Sequence, residues 1–586
     1  MKLNLAITLG FATAAMLFAP PAGAQSTQKR ADELETGSTK LGSITGRVLA
    51  DGQPVNNASI TVSRLNSNVP SRGVPTSDAG DFEVKGLEPG VYRIRATAPG
   101  YVSPSTDSDE ETYYRVGESV RLTMIRGGVI TGKVLSAGDE PVVAVRVRAT
   151  MIRDVNVKPP TAGGPSIDQF TDDRGIYRIF GLLPGTYLVF AGGRGSSGYG
   201  PNAYDNDAPT YAPSSTRDTA AEISVNSGEE KAVDIRYRGD AGHALSGTVI
   251  APVNQNSPGV TIALARLTAN APETRMSTYL SPDSKAFEFY GVADGEYLIW
   301  ASRVLSDDTL VSEPRRVTVK SADVTGIELA LKPLASVAGE FVLENSSAES
   351  CKGKRRPLFE ETLVAIQRIQ KQIPKDQPQI PLYGAGQAAA DGAGKFSLRN
   401  LGPGQYGFDV RFFARYWYLR SITLRAGTEM SRATPTNPTT DVARTWFTLK
   451  SGDRVTGLKV TLTEGAASLG GRIGASKDQK LGGQLFIYLV PVEKEKSDDV
   501  FRYSVAKVEP DRSFSLNNLP PGRYWALVKA ARDYDLTSNP KLRLPGSAEA
   551  RVKLRREAET AAFQIELAPC RNVSDYKLPG LSDLAP

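Results

Sequence analysis

The stretch Gly181-Leu182-Leu183-Pro184-Gly185-Thr186-Tyr187 carries the signal that decides the fold. Proline holds its φ at about −65° and glycine accepts a positive φ, so the Pro-Gly pair suits the centre of a tight turn. The tyrosine that follows begins a predicted β-strand. The turn and the tyrosine recur in four further stretches, 86–92, 291–297, 400–406 and 518–524, with Asp294 in place of the proline in 291–297. The chain therefore contains a repeated unit, of which this turn is the most specific part.

Two other recurring features precede each turn. The first is an apolar-x-Gly-x-apolar pattern, which predicts a short strand with a close backbone approach at its glycine. Its copies occupy residues 44–48, 130–134, 245–249, 337–341 and 469–473. The second is an aromatic residue in a predicted strand directly before the turn. These aromatic residues are Phe82, Tyr177, Phe287, Phe396 and Phe514.

Further strands are predicted between these features, and the sequence lacks the pattern of a long amphipathic helix. Residues 362–369 are compatible with a helix, but their register with the other repeats favours a strand. Short strands and frequent turns predict an all-β protein of five tandem β-sandwich domains, each large enough for its own core. The predicted β-sandwich domains are 42–125, 126–239, 240–333, 334–464 and 465–569, and a C-terminal tail, 570–586, follows them.

The combination of these patterns resembles the carboxypeptidase regulatory-like domain. The resemblance is clearest in the first two repeats, which also have an Asp-x-Gly bend before the aromatic residue, at 78–80 and 173–175. It implies a transthyretin-like, seven-stranded β-sandwich of the kind grouped with carbohydrate-binding-like folds. It also implies a signature made of turn and core residues, without a catalytic group. The last three repeats are more diverged.

The N-terminus has the features of an export signal. Lys2 precedes an apolar run, residues 5–18, and the small residues Ala22-Gly23-Ala24 follow it. This order predicts a secretory signal peptide, residues 1–24, cleaved before a polar and flexible leader, residues 25–41. No later stretch is long and apolar enough to span a bilayer as a helix. We therefore expect a mature chain without a transmembrane segment, exported across the inner membrane to the periplasm, the cell surface or the medium.

Composition argues against catalysis and against nucleic-acid binding. The 586 residues include one histidine, His243, and two cysteines, which excludes a two-histidine metal site and a multi-thiolate zinc fold. The net charge of +6 arises from 70 basic and 64 acidic residues that are interspersed, without a basic block suited to phosphates. We expect no enzymatic activity, no cofactor, no metal and no nucleic-acid partner.

Aromatic residues are the candidate ligand-binding groups, because tyrosine and tryptophan offer a flat apolar face to sugar rings and to proteins. Tyr199, Tyr204 and Tyr211 lie in a loop rich in Gly, Asn and Pro, and we predict them as stacking residues. Packing within the loop is the alternative. A second aromatic cluster, residues 412–418, is expected to pack in the core instead.

The remaining candidates are structural rather than catalytic. Cys351 and Cys570 could form one disulfide between the fourth domain and the tail, pair between chains, or stay free. His243 is expected in a surface loop. Two groups of carboxylates are expected to be solvated rather than to bind calcium. They are Asp107, Asp109, Glu110 and Glu111, and Asp205 with Asp207.

These inferences predict a non-enzymatic binding or scaffold protein of the cell envelope, whose domains display loops along a semi-extended rod. The resemblance to carbohydrate-binding-like folds favours a polysaccharide as the ligand. One alternative is a structural stalk or adhesin that recognises a cell-envelope protein through a sheet edge. A further alternative is a hydrolase that uses carboxylates alone, as glycosidases do, which would need two carboxyl groups in a cleft.

Overall fold

The computed structural model describes fifteen ranges of the chain, and all structural statements below refer to them. They are 41–65, 70–104, 112–155, 166–194, 202–251, 258–268, 271–305, 308–368, 386–425, 439–443, 447–474, 485–509, 511–530, 548–561 and 563–578. The predicted signal peptide and the leader up to residue 40 lie outside these ranges. Within them the predicted all-β class is confirmed, and the strands enclose five separate hydrophobic cores. We name the corresponding groups of strands module 1 to module 5.

Module 1 and module 2 each consist of two facing sheets. The strands of module 1 are Gly42–Ala50, Gln53–Pro54, Ser59–Arg64, Arg72–Pro75, Asp81–Leu87, Val91–Thr97, Tyr101–Val102, Tyr114–Arg115 and Ser119–Arg126. The strands of module 2 are Gly128–Leu135, Arg146–Asp154, Ser166–Phe170, Ile176–Leu182, Gly185–Ala191, Thr210–Tyr211, Ile223–Val225, Glu230–Ala232 and Ile235–Arg236, with a 3-10 turn at Arg217–Thr219.

Module 3 differs because its strands join into one eight-stranded sheet that folds over its core. Its strands are His243–Ile250, Val260–Thr268, Ala271–Leu280, Ala286–Val292, Gly295–Val304, Thr309–Ser312, Arg315–Val319 and Val324–Pro333.

Module 4 and module 5 return to two sheets each. The strands of module 4 are Ala335–Glu344, Leu363–Arg368, Gln387–Ala389, Lys395–Leu401, Gly404–Arg411, Trp417–Arg425, Thr439–Asp441, Phe447–Leu449 and Arg454–Glu464, with 3-10 turns at Glu349–Cys351 and Phe359–Glu361. The strands of module 5 are Ala467–Ile473, Leu485–Pro491, Ser504–Lys507, Ser513–Leu519, Gly522–Ala530, Gln564–Leu567 and Asn572–Leu578, with 3-10 turns at Lys494–Lys496 and Val500–Arg502 and one α-helix, Ala548–Ala561.

The glycine of each opening strand lies directly opposite the aromatic residue that the sequence singled out. The five pairs are Gly46 with Phe82, Gly132 with Tyr177, Gly247 with Phe287, Gly339 with Phe396, and Gly471 with Phe514. On its other side, each opening strand pairs in parallel with the strand at the end of its module, which in module 2 is divided into two short strands, Glu230–Ala232 and Ile235–Arg236. A Cβ atom on any of these glycines would overlap a backbone carbonyl oxygen on this parallel side, which in module 2 is that of Val233, between the two short strands. Glycine is therefore required by the close approach of three backbones.

The tyrosine after each turn makes the same hydrogen bond in every module. Its hydroxyl donates to the carbonyl oxygen four residues earlier, at 2.7 Å in all five cases. The donors are Tyr92, Tyr187, Tyr297, Tyr406 and Tyr524. Burial raises the pKa of each of these hydroxyls above its usual value, so they stay protonated as donors. The bond fastens the turn to the core at the start of each tyrosine strand.

The predicted end of the fifth domain at residue 569 is wrong. Strand Asn572–Leu578 pairs in parallel with the opening strand Ala467–Ile473, so the region predicted as a tail closes module 5. The segment predicted to close it forms strand Gln564–Leu567, which instead extends the other sheet beside Gly522–Ala530. Polar side chains cover most of Asn572–Leu578, so its sequence lacks the apolar alternation by which strands are recognised.

The helix Ala548–Ala561 was also not predicted. Its Leu554 and Ala558, four residues apart, pack with Trp525 on the outer face of the module 5 sheet. Arg555 lies over the Trp525 ring at 5.0 Å and donates to the carbonyl oxygens of Pro491 and Val492 at 2.8 and 2.6 Å. Of the helix residues whose side chains the structure describes, Leu554 and Ala558 are the apolar ones packed on the sheet, so the helix gives a weak amphipathic signal and is held by the arginine as well.

We predict that Gly471→Ala destabilises module 5 by about 1–3 kcal/mol, the usual cost of forcing volume into a packed site. The neighbouring Gly470→Ala is the matched control, because the atom nearest to its Cβ, the Phe514 carbonyl oxygen, lies 3.8 Å away. Urea unfolding followed by fluorescence measures both. Equal losses in the two variants would contradict the close-approach explanation.

Candidate interaction site between modules 1 and 4

Module 1 packs directly against module 4, although two modules separate them along the chain. Val91 and Tyr113 of module 1 form a buried apolar cluster with Leu363 of module 4. Leu65 and Ala389 are half-buried and pack against the same cluster. We name these five residues the apolar patch.

The residues of the apolar patch belong to neither module's own core. In strand Val91–Thr97, Tyr92 points into the core of module 1, so Val91 lies on the opposite face of the sheet. Likewise Val364 points into the core of module 4, and its neighbour Leu363 faces outward. Both Val91 and Leu363 are nevertheless almost fully buried, at 1% and 2% exposure, because the two modules cover each other.

A group of charged residues lies beside the apolar patch. The Arg115 guanidinium of module 1 lies 3.6 Å from a carboxylate oxygen of Glu361 in module 4 and 3.3 Å from Glu118 in its own module. Arg355 pairs with the same Glu361 carboxylate at 3.4 Å. Arg115 also lies over the ring of Phe413 of module 4, with 5.3 Å to the ring centroid. We name Arg115, Glu118, Arg355 and Glu361 the charged cluster.

Glu361 is buried, and its environment has opposing effects on its ionisation. Desolvation raises the pKa of Glu361 above its usual value, while Arg355 and Arg115 act to lower it. A buried ion pair recovers its desolvation cost only in part, so it contributes more to the specificity of a contact than to its strength. We therefore expect the apolar patch to supply most of the stability and the charged cluster to fix the orientation.

This contact changes the expected shape of the molecule. A semi-extended rod would keep the first and fourth modules apart, whereas here they touch through an apolar patch and an ion pair. The rod expectation is therefore wrong. It rested on tandem connectivity alone, and connectivity does not show which outer sheet faces are apolar.

Polar contacts also join successive modules. Ser227 donates to the Arg126 carbonyl oxygen at 2.9 Å where modules 1 and 2 meet, and Arg266 lies 3.5 Å from Asp218 between modules 2 and 3. Arg454 of module 4 pairs with Asp308 of module 3. Each junction is thereby restrained by side chains as well as by the linking backbone.

Modules 4 and 5 are joined by hydrogen bonds and by a covalent bond. Asn518 of module 5 donates to the carbonyl oxygens of Ala414 and Trp417 in module 4, at 2.7 and 2.8 Å. The sulfurs of Cys351 and Cys570 are joined in a disulfide, which is one of the three states that the sequence left open. The disulfide links a 3-10 turn of module 4 to the segment directly before the last strand of module 5.

The predicted stacking residues do not form an exposed platform. Tyr211 is buried, at 3% exposure, with its ring 4.8 Å from that of Phe190. Tyr204 is half-buried and meets the Tyr237 ring edge-on at 5.5 Å. Tyr199 lies outside the described residues. The assignment of Tyr211 as a stacking residue is wrong, because loop composition alone did not reveal that its ring packs on Phe190, and Tyr204 also has a packing role.

The other candidate residues have structural partners. His243 begins the opening strand of module 3, rather than lying in a loop, with its Nε2 atom 3.3 Å from Asp294. Asp207 accepts a hydrogen bond of 2.7 Å from the Tyr237 hydroxyl, and Asp205 accepts one of 3.0 Å from the backbone of Asn202. The carboxylates at 107 and 109–111 lie outside the described residues. In the part of the chain that the structure describes, no three His, Cys, Asp or Glu residues are grouped to hold a metal ion.

The aromatic cluster at 412–418 packs, as expected, but it does so at two junctions as well as in a core. Trp417 is fully buried in module 4. Phe413 receives Arg115 from module 1. The Tyr416 hydroxyl accepts a hydrogen bond of 3.1 Å from Asn572 of module 5.

Sequence reasoning missed the residues of the contact between modules 1 and 4. Val91 and Leu363 are each followed by another large side chain, Tyr92 and Val364, that faces the core. Two adjacent apolar residues in a strand place one on each face, and this was the available signal. Nothing in the sequence around Arg115 or Glu361 indicates that they pair.

Comparison with known proteins confirms the family resemblance of the first repeat. The fold defines a protein of tandem β-sandwich modules, and the family model of the carboxypeptidase regulatory-like domain matches residues 43–123, the range of module 1. Among curated proteins, Colossin-A of Dictyostelium discoideum is 27% identical over 165 residues, which cover 25% of this chain and 1% of Colossin-A. The chain therefore spans a very small part of that relative's length.

Solved structures give distant matches. BcpA, the major pilin subunit of Bacillus cereus, is 11% identical with a TM-score of 0.14, covering 50% of this chain and 99% of BcpA. GBS52, the minor pilin of Streptococcus agalactiae, is 14% identical with a TM-score of 0.18, covering 34% of this chain and 96% of GBS52. Similarity at this level transfers no function to the present chain. Among the described residues, no helix has the length and hydropathy that crossing a membrane requires.

We predict that removing the disulfide in a Cys351→Ser, Cys570→Ser double variant destabilises module 5 by about 2–5 kcal/mol. The disulfide holds the segment that leads into strand Asn572–Leu578, so the amides of that strand should exchange faster in hydrogen-exchange mass spectrometry. Reductant should reproduce the effect in the natural chain and add nothing to the double variant. Unchanged exchange of 572–578 in both experiments would show that the disulfide has no stabilising role.

Proposed function

We propose that this chain is a non-enzymatic structural or adhesin protein of the cell envelope that holds five β-sandwich modules in a folded-back arrangement and binds a protein partner. The observation that carries the proposal is the contact of module 1 with module 4, through the apolar patch and the charged cluster. A protein that only spaced its ends apart would gain nothing from such a contact. A scaffold that presents surfaces in fixed relative positions depends on it.

The recurring residues support a non-catalytic role. In every module the opening glycine, its aromatic partner and the turn tyrosine are used for packing or for a backbone hydrogen bond. The buried carboxylate of Glu361 is paired with two arginines beneath a module contact, which differs from the open pair of carboxyls that a glycosidase needs. Glu361 therefore does not support the carboxylate-hydrolase alternative.

A sheet edge of module 3 favours a protein partner. Strand Ala271–Leu280 is ten residues long and ends its sheet, pairing with Val260–Thr268 among the described strands. An edge of this length can accept an additional strand from another protein through backbone hydrogen bonds. Tyr279, 60% exposed on this strand, adds an aromatic contact surface.

The polysaccharide ligand that the sequence favoured has weaker support. Of its three candidate stacking residues, Tyr211 is buried against Phe190 and Tyr204 packs on Tyr237. Binding of the purified protein to a polysaccharide panel and to cell-envelope proteins compares the two ligand classes directly. We expect specific capture of an envelope protein and no polysaccharide binding. Saturable polysaccharide binding, or release of reducing sugar, would overturn the proposal.

We predict that Val91→Asp opens the contact between modules 1 and 4, because it places a carboxylate within the apolar patch, where its burial is unfavourable. The matched control is Thr97→Asp, at the exposed end of the same strand and on the same face. Small-angle X-ray scattering should report a larger radius of gyration for Val91→Asp and no change for the control.

A second variant and a second measurement distinguish opening of the contact between modules 1 and 4 from loss of folding. Leu363→Asp places a carboxylate in the same patch from the module 4 side and should increase the radius of gyration in the same way. Circular dichroism should show β-structure equal to that of the natural chain in all three variants. Unchanged dimensions in both patch variants would show that the contact does not hold the molecule closed in solution.

A further inference from the structure

We propose that the faces joining module 1 to module 4 within one chain also join two copies of this chain, with module 1 of one copy docked on module 4 of the other. This inference rests on the proposed function, since it takes the contact between the two modules as real. It adds a partner, a second copy of the same chain, and a defined interface.

The two faces differ from each other and are complementary. The module 1 face presents Val91, Tyr113 and the cation Arg115. The module 4 face presents Leu363, the buried anion Glu361 and the ring of Phe413 that receives the guanidinium. Apolar surface thus meets apolar surface, and the cation meets both an anion and an aromatic ring.

Two different and complementary faces on one chain can make this contact in two ways. Within one copy the faces close the molecule, as in the structure. Between copies the same contacts form a head-to-tail interface. One module 1 face and one module 4 face then stay uncovered at the two ends, which allows further copies to bind. No new contact chemistry is needed, because every atom pair in the interface is the same in both arrangements.

Once the contact between modules 1 and 4 opens, burying the apolar patch against a second copy is favourable. Val91 and Leu363 are among the buried residues of the chain in the closed form, and both would be exposed if module 1 moved away. Outward-facing apolar clusters are a common basis of association between protein surfaces. Charge complementarity then favours the module 4 face of a second copy, because Glu361 and the Phe413 ring add contacts to the Arg115 guanidinium beyond its pair with Glu118 of its own module.

Competition between the two arrangements depends on concentration. Closure within one chain is favoured by a high effective concentration of the two faces, whereas exchange follows the concentration of the protein itself. An exchanged dimer should therefore be a minor species in dilute solution and should increase with concentration. Anchoring many copies on one surface would favour it in the same way.

Cysteine cross-linking between two differently tagged full-length chains tests the proposal. The two natural cysteines are joined to each other, so an added cysteine is the single free thiol in the described residues. One chain carries Val91→Cys and the other carries Leu363→Cys, and a short bis-maleimide is added to the mixture. While it is a minor product, the cross-linked fraction carrying both tags should rise about tenfold for a tenfold rise in concentration.

Two controls distinguish the absence of docking between copies from the absence of the contact within one chain. Thr97→Cys replaces Val91→Cys in the first control mixture and should give at least several-fold less product with both tags. A single chain with both Val91→Cys and Leu363→Cys should cross-link internally at any concentration, if the closed form is correct. Internal cross-linking without a product between tags would overturn the exchange and leave the proposed function intact. Absence of both products would overturn the closed arrangement itself.

Discussion

The fold depends on one constraint that is repeated five times, the approach of three strands at a glycine that faces an aromatic residue. At Gly132 the opening strand lies so close to its parallel neighbour that any side chain would meet the Val233 carbonyl oxygen. The aromatic residue opposite, Tyr177, is buried in the core, and its hydroxyl donates to the same Val233 carbonyl oxygen. The turn tyrosine, here Tyr187, then fastens the following strand by a hydrogen bond to the carbonyl oxygen of Leu183. These residues determine each sandwich while leaving its loops free to vary in length.

The outer faces of the sandwiches determine how the modules assemble. In module 5 the outer face is covered by a helix of the same module, through Trp525 and Leu554. In modules 1 and 4 the corresponding faces cover each other, through Val91 and Leu363. The same architectural position is therefore used for packing within one module and for contact between modules. This difference in use distinguishes module 5 from modules 1 and 4.

Sequence patterns were sufficient for the cores and insufficient for the contacts between them. The glycine, aromatic and tyrosine positions were predictable because turn chemistry and strand alternation are local properties. Strand Asn572–Leu578 was not predictable, because it is polar and joins module 5 through backbone bonds to a distant strand. The pairing of Arg115 with Glu361 could not be predicted either, because it depends on how modules fold back in space. The buried position of Tyr211 likewise depends on a neighbour, Phe190, on another strand.

Hydrogen-exchange mass spectrometry of the intact chain tests the central claim most directly. Each opening strand is hydrogen-bonded on both sides, to the aromatic strand and to the parallel closing strand, so its amides exchange only when its module unfolds. We predict that the five opening strands are the slowest-exchanging segments of their modules. They are Gly42–Ala50, Gly128–Leu135, His243–Ile250, Ala335–Glu344 and Ala467–Ile473. Rapid exchange in any one of them, while its neighbours stay protected, would contradict the claim that one packing constraint defines all five modules.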